Sequence, residues 1–511
     1  MRYKKYLAIL IIVSFIIRCF LSAFVEFGND EVNYWTYALY PDLSHFDHPP
    51  MVGYFIQLFT LNLTFQSEFF VRLASIVTGT INTYLIYLIA KKIRDDRAGL
   101  FAASLYTASF YCTVICGIFI MPDTPLSLFW LGGIYLLIEP LTDDEYSRKN
   151  KTKLLMAGIC IGFGMLSKYT AVFLWAGAFS YLIIFNRKLF KVKELYLSVI
   201  ISFLFLIPVI IWNYQNDFIS FKFQGERADI FNSGLRFDYF ATELAGQIFY
   251  NNPINFFTII TSLFLLRNKD IFPERKKVKL LLLWSLPVLV FLVISLFNKT
   301  LPHWASPGYF SLFIISGIVL ADKFKLEKIE YLYPRGIVIS LFVAFLVVAI
   351  GYLEINYGII PLKDNDITLD MYGWRKLNNG FVEIVKNDKQ KGLMNGNAPI
   401  ITFRWFPAGH LDYYVARNNG KYVIASGEMK DIRNYYFINK KRNGLKQGED
   451  AYFIVSNRDY KNPEQLYGNY FTEIFKPDTI RILRSGGNVM EYYIFRLKSL
   501  KKSLPGLGHI N

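Results

Sequence analysis

Four cysteines occur in 511 residues (Cys19, Cys112, Cys116 and Cys160), and each lies inside an apolar run. Cys112 and Cys116 share a helix face, but no histidine or carboxylate accompanies them at ligand spacing, so the thiols read as small apolar residues rather than metal ligands. Histidine is scarce too, with five in the chain. A Gly-rich phosphate loop, a dinucleotide-binding glycine fingerprint and a zinc-spaced His/Glu motif are all missing, which argues against a nucleotide-driven pump and a metalloprotease. Internal repeats and low-complexity tracts are missing as well. Charged residues make up only 19% of the chain, with a formal net charge of +16.

What the chain has is apolar length: 53% of its residues are hydrophobic and 18% aromatic. Runs of roughly 18–22 apolar residues recur, enough to cross a hydrocarbon core ~30 Å thick. They predict a polytopic α-helical membrane protein. About eleven transmembrane helices (up to thirteen) are expected, near 6–25, 69–90, 98–118, 124–140, 154–168, 170–186, 195–213, 252–267, 279–297, 304–321 and 335–353. The first follows "MRYKKY" and runs into an acidic stretch without a small-residue cleavage site, the pattern of an uncleaved first helix.

Loop charges orient these spans. With the N-terminus in the cytoplasm, the inner loops carry 25 Lys and Arg, whereas the outer connections hold only Lys168, Lys222, Arg227, Arg236 and Lys299. The basic excess is therefore a signature of topology, not of nucleic-acid binding. Residues 1–353 are expected to form the membrane domain, with 26–68 an outward-facing juxtamembrane loop, and 354–511 an extracytoplasmic α/β domain. In the latter, "NAPIITFRW", "DAYFIVS" and "VMEYYIFRL" have strand length and composition, and "DMYGWRKLNNGFVEIVKN" and "FPAGHLDYYVARN" have helical spacing.

The outer connections collect the unusual chemistry. "NDEVNYWTYALYPDLSHFDHPP" has no Lys or Arg and holds Asp30, Glu31, Asp42 and Asp47. Asp30 and Glu31 are adjacent, so on a helix they point roughly 100° apart and cannot form a mirrored pair. Tyr34, Trp35, Tyr37 and Tyr40 suit a helix lying at the membrane interface, and a solvated acidic loop with an aromatic belt is the plainer alternative. Pro49 disfavours helix at His48, which places Asp47 and His48 on a rigid turn. "FIMPDTPLSLFW" sets Asp123 between prolines, "LSKYTAVF" sets Lys168 between closely spaced spans, and "NKTLPHWASPGYF" brings Lys299, His303 and Trp304. Lys168 could simply snorkel; Asp123 has no such stem. Carboxylates can serve as a base or hold a sugar hydroxyl, and cations can neutralise a departing phosphate. That combination suits transfer from a phosphorylated donor.

The motifs "GNDEVNYW", "FDHPPMVGYF", "MPDTPLSLFW", "LSKYTA" and "LPHWASPGYF", in this order over about 1–320, resemble bacterial members of the glycosyltransferase 39/83 superfamily, and "DMYGWRKL" resembles a further short motif of bacterial members. These include protein O-mannosyltransferases and the aminoarabinose transferases that modify lipid A. The resemblance implies a GT-C fold and a sugar donor carried on a polyprenyl phosphate. It implies Asp30 as the catalytic aspartate, with Glu31 beside it. His48 stands where a lysine is common before proline and would contact the donor phosphate, joined by Lys168 and possible help from Lys299 or His303. Asp123 matches a second acidic position, and Asp47, Tyr34 and Trp304 are expected, with it, to touch the substrates. Direct, inverting transfer is the implied mechanism. A divalent metal is not obligatory, because the leaving group is a lipid monophosphate.

The acceptor is expected to be an envelope glycolipid such as lipid A or lipopolysaccharide, with a protein hydroxyl as the alternative. A flippase for lipid-linked sugars, from a different class, would show repeated halves and mid-membrane charges in broken helices. Here the charges gather at the outer ends.

Overall fold

The computed structural model describes residues 2–144, 146–227, 234–267, 274–326, 333–362, 366–442 and 444–505. The chain divides into two compact units: Met1–Ala23 with Pro41–Val348, and Phe24–Tyr40 with Ala349–Asn511. The sequence expectation placed the division at 353/354 and the whole of 26–68 in the membrane domain; the contacts instead group Phe24–Tyr40 with the C-terminal residues.

The first unit is helical. Seven helices among the described residues are long and apolar enough to cross a membrane: Arg2–Phe24, Glu68–Ile93, Asp123–Thr142, Lys193–Gln215, Arg275–Ile294, Pro307–Lys325 and Arg335–Tyr357, the last of which runs past the unit boundary. Two expected spans are shorter apolar helices, Tyr169–Phe185 and Pro253–Leu265. The expected span at 154–168 lies in the helix Arg148–Ser167, and that at 98–118 is broken into a helix Asp96–Ala108 and a π-turn Tyr111–Ile115. Close helix approach follows from small residues. At Gly158 a Cβ would stand 2.3 Å from the Ser198 carbonyl, so the Arg148–Ser167 and Lys193–Leu204 helices touch there through backbone. An apolar cluster between the helices is built around Trp130, Tyr181, Trp284 and Phe313. Charges at helix ends are paired: Lys92 and Lys153 both meet Glu139, and Arg94 meets Asp322.

The second unit is an α/β fold around a six-stranded sheet, with β1 (Ile400–Thr402), β2 (Val423–Ala425), β3 (Ala451–Ser456), β4 (Phe471–Ile474), β5 (Asp478–Arg484) and β6 (Gly487–Leu500). The order is β2-β1-β3-β6-β4, with β5 also on β6. β1 runs parallel to β2 and β3, while β6 is antiparallel to β3, β4 and β5. The β5–β6 hairpin closes through Ser485 and Gly486, both at positive φ, the twist that two-residue hairpin turns require. Three strand segments match the sequence reading; β2, β4 and β5 are short or exposed and carried too little alternation to be seen. The helix Trp374–Lys391 confirms the helical spacing read there, and Trp405–His410 continues into a π-turn Leu411–Ala416.

The helix Asn29–Leu39 belongs to this unit. Its aromatics were expected at a membrane interface. Tyr34, Trp35 and Tyr37 are instead buried, with Trp35 edge-on to Tyr413 at 5.2 Å and Tyr34 edge-on to Tyr37 at 5.4 Å. They form core, because the face they occupy meets the 405–416 segment. Gly409 permits this approach, since a Cβ there would meet Val32 at 2.8 Å.

Candidate active site

In the helical unit, Asp123 is the first residue of its helix, where backbone N–H groups favour a negative charge. Lys168 is the extended residue between the helix Arg148–Ser167 and a 3-10 turn, a break that aims its side chain back across the bundle. Its ammonium donates to both Asp123 carboxylate oxygens at 3.0 and 3.1 Å. The Tyr111 hydroxyl, on the π-turn, donates to Asp123 Oδ1 at 2.8 Å. Asp123 is 1% exposed and Lys168 6%, so Lys168 is a buried ion-pair partner and not a snorkelling surface residue.

His48 and His303 lie close enough for this pair to act on their proton affinity. Desolvation lowers His48 to about 4; Asp47 and Asp123 oppose the shift, while Lys168 and Arg227 add to it. Desolvation likewise lowers His303 to about 3, with Lys168, Asp123, His48 and Arg227 as its charged or ring neighbours. Both imidazoles are therefore neutral at neutral pH. The physical reason is burial: a neutral ring survives where a charged one would lose its hydration.

Sequence reasoning missed four contributors. The Arg227 guanidinium lies 4.8 Å from the centre of the Trp304 ring and acts on both histidines. Gln224 donates to the Asp47 carbonyl at 2.6 Å, tying the helix Ile219–Arg227 to the "FDHPP" turn. Tyr111 was hidden in an apolar run. Glu243, 1% exposed, accepts from Thr300 Oγ1 at 2.8 Å and from Gln247 Nε2 at 2.8 Å, and Tyr309 closes the network onto Gln247 at 2.8 Å. This network pins the segment that carries His303. Lys299 stands apart: it is exposed, and its ammonium makes no hydrogen bond or ion pair among the described residues. No group of three potential metal-ligating side chains occurs among the described residues.

In the α/β unit, the adjacent acids have different surroundings. Glu31 is 1% exposed and accepts from the Gly28 N–H at 3.0 Å, closing the N-terminus of the helix Asn29–Leu39. Asp30 is exposed in the same first turn. Next to it, Asn29 donates to Asp370 at 3.0 Å and its Oδ1 meets His410 Nε2 at 3.0 Å. With Asn29 Nδ2 engaged as a donor, His410 carries its proton on Nε2. Burial lowers His410 to about 3, and its ring stacks on Trp374 at 4.1 Å. Glu26 accepts from the Trp374 and Arg375 N–H groups at 2.9 and 3.1 Å, capping that helix with a carboxylate. Gly373, at φ +95°, admits this turn, where a Cβ would stand 2.7 Å from Ile482. The "DMYGWRKL" motif thus anchors the segment that presents Asp30.

The family model for dolichyl-phosphate-mannose-protein mannosyltransferases matches residues 47–212. Lipid A galacturonosyltransferase RgtD of Rhizobium johnstonii is 22% identical over 324 residues, 62% of this chain and 63% of that protein. The match thus spans about 63% of that relative's length. ArnT from Cupriavidus metallidurans bound to undecaprenyl phosphate superposes with a TM-score of 0.64 at 14% identity, covering 96% of this chain and 98% of that one. The oligosaccharyltransferase of Archaeoglobus fulgidus in its apo form superposes with a TM-score of 0.51 at 13% identity, covering 89% and 70%. The fold is that of the GT-C membrane glycosyltransferases. The resemblance read from the motifs is borne out by the matches to the mannosyltransferase family model, to a lipid A galacturonosyltransferase and to ArnT.

Proposed function

We propose that this protein is an integral membrane glycosyltransferase that moves a sugar from a polyprenyl-phosphate donor to lipid A or a related envelope glycolipid. The observation that carries the reading is the buried Asp123–Lys168 pair, with Arg227 and two neutral histidines acting on one another, in a chain similar to ArnT and to a lipid A galacturonosyltransferase. Lys168 and Arg227 supply positive charge to the donor phosphate, and His48 and His303 offer ring nitrogens to the same group. Asp123 holds Lys168 in place through both carboxylate oxygens. Asp47 and Trp304 are assigned to the walls around these groups rather than to the chemistry, and Tyr34, buried in the core of the α/β unit, is not among them.

Asp30 is the carboxylate assigned to the acceptor. An acceptor oxygen attacks the anomeric carbon from the face opposite the phosphate, the new C–O bond forms, and the sugar–phosphate C–O bond breaks with inversion. The electron pair leaves on the polyprenyl phosphate. Asp30 takes the proton of a hydroxyl acceptor; an acceptor phosphate is already ionised, and Asp30 then orients it. The 25 basic residues of one set of loops against five in the other support a cytoplasmic N-terminus and a C-terminal unit on the outer side of the cell's inner membrane.

A protein hydroxyl as acceptor is the second reading, favoured by the description of the matching family model. The test is mass spectrometry of lipid A and of secreted proteins from a deletion strain, with purified wild type and Asp30→Asn assayed on a polyprenyl-phosphate sugar. The expected result is a sugar missing from lipid A and no transfer by the folded variant. Full activity of Asp30→Asn would remove the catalytic assignment.

A further inference from the structure

The carboxyl ends of β1 and β3 in the α/β unit enclose a cavity of about 30 Å³. In the order β2-β1-β3 these neighbouring ends are a switch point, where connections leave toward opposite sides and open a crevice beyond the strands. Ligands of open α/β sheets bind in such crevices.

The walls are specific in chemistry. Asn29, Asp370, Thr402 and Arg458 line the cavity together with Trp374 and Tyr492. Asp370 accepts from Asn29 at 3.0 Å and from Arg458 at 2.8 Å, and its carboxylate oxygens keep further lone pairs. Thr402 is 0% exposed, and its hydroxyl has no hydrogen-bond partner among the described residues. A buried hydroxyl left unmet destabilises the fold, so its retention points to a group that meets it. The volume suits one water-sized group such as a single hydroxyl. Aromatic rings beside carboxylate, amide and guanidinium groups are the chemistry that holds a hydroxylated ring. Asn29, in the wall, is the chain neighbour of Asp30.

We propose that this crevice is the acceptor-sugar subsite: it takes a hydroxyl or hydroxymethyl arm of a pyranose against Thr402 and Asp370, and so presents the acceptor beside Asp30. The acceptor role rests on the transferase reading above; the saccharide site itself does not. Its polar wall accepts and donates at once, as a sugar hydroxyl requires.

The test uses the full chain in detergent, with methyl glucosaminide as the probe and saturation-transfer NMR as the readout. Wild type is expected to bind saturably, Thr402→Val about tenfold more weakly, and Thr402→Ser within about twofold of wild type, the scale of one hydrogen bond. Thermal unfolding of Thr402→Val should be no lower than wild type, because the unmet hydroxyl is gone. Equal binding by Thr402→Val, or no saturable binding by wild type, overturns the proposal and leaves a cavity for a structural water only. Binding through Thr402 without transfer from any polyprenyl-phosphate donor keeps the saccharide site and removes the transferase. An active transferase whose acceptor KM is unmoved by Thr402→Val removes the subsite and keeps the transferase.

Discussion

Breaking the Asp123–Lys168 pair from one side should be far more damaging than neutralising it from both. Lys168→Met removes an ammonium that donates to both carboxylate oxygens at 3.0 and 3.1 Å. Asp123, 1% exposed, is then left with Tyr111 as its remaining hydrogen-bond donor among the described residues. An uncompensated buried charge costs about 3–5 kcal/mol. Asp123→Asn does the reverse and strands the ammonium of Lys168 at similar cost. The double variant Asp123→Asn/Lys168→Met carries no charge, keeps an oxygen for Tyr111, and should return to within about 1–2 kcal/mol of wild type. The coupling energy, both single penalties less that of the double variant, is then on the order of 4–9 kcal/mol, above the roughly 0.5–3 kcal/mol usual for directly interacting residues. Thermal and denaturant unfolding of the four purified proteins in detergent measures it. Transfer activity should stay lost in the stable double variant, since the phosphate cation is gone. Single variants as stable as wild type, or a double variant carrying the sum of both penalties, would refute a buried, mutually dependent pair.

Acid should destabilise the fold through its histidines. His48 is lowered to about 4 and His303 and His410 to about 3, below the ordinary 6.5. As pH falls below 6.5 the unfolded chain binds protons that the folded chain refuses, so their stabilisation is complete above 6.5 and is lost on descent toward 3–4. Unfolding midpoints from pH 8 to pH 4 should show that slope, and His410→Gln should flatten it. Glu31→Ala should lower stability by about 1 kcal/mol through loss of a helix cap, with transfer following the folded fraction, whereas Asp30→Asn should lose transfer at unchanged stability. Glu243→Ala frees Thr300 and with it the His303 segment, so the donor KM should rise about tenfold while the acceptor KM holds. An unmoved donor KM in steady-state assays would separate Glu243 from the site.

Much of the site was legible because membranes punish charge. Asp123 and Lys168 stood out as ionisable residues beside apolar runs, and the structure pairs them. Arg227 did not stand out, because it lies in a polar connection where a basic residue is ordinary. Tyr111 and Glu243 were invisible for a related reason: each acts through one hydrogen-bonded neighbour from a distant segment, and no spacing rule encodes that. The acidic pair at 30–31 was legible as acid but not as two different residues. Only the Gly28 N–H, meeting the Glu31 carboxylate at 3.0 Å, separates a cap from an exposed carboxylate.

By itself, the sequence determined that the chain lies in a membrane, which loops carry the basic charge, and that a strand-rich segment follows the last span. Those properties are sums over many residues, and apolar length and loop charge do not depend on contacts between distant segments. Tertiary structure decided the rest. It moved Tyr34, Trp35 and Tyr37 from an expected membrane interface into a core, because the 405–416 segment lies against their face. It also made His48 and His303 neutral, because burial by surrounding segments, and not residue type, sets which protonation state survives.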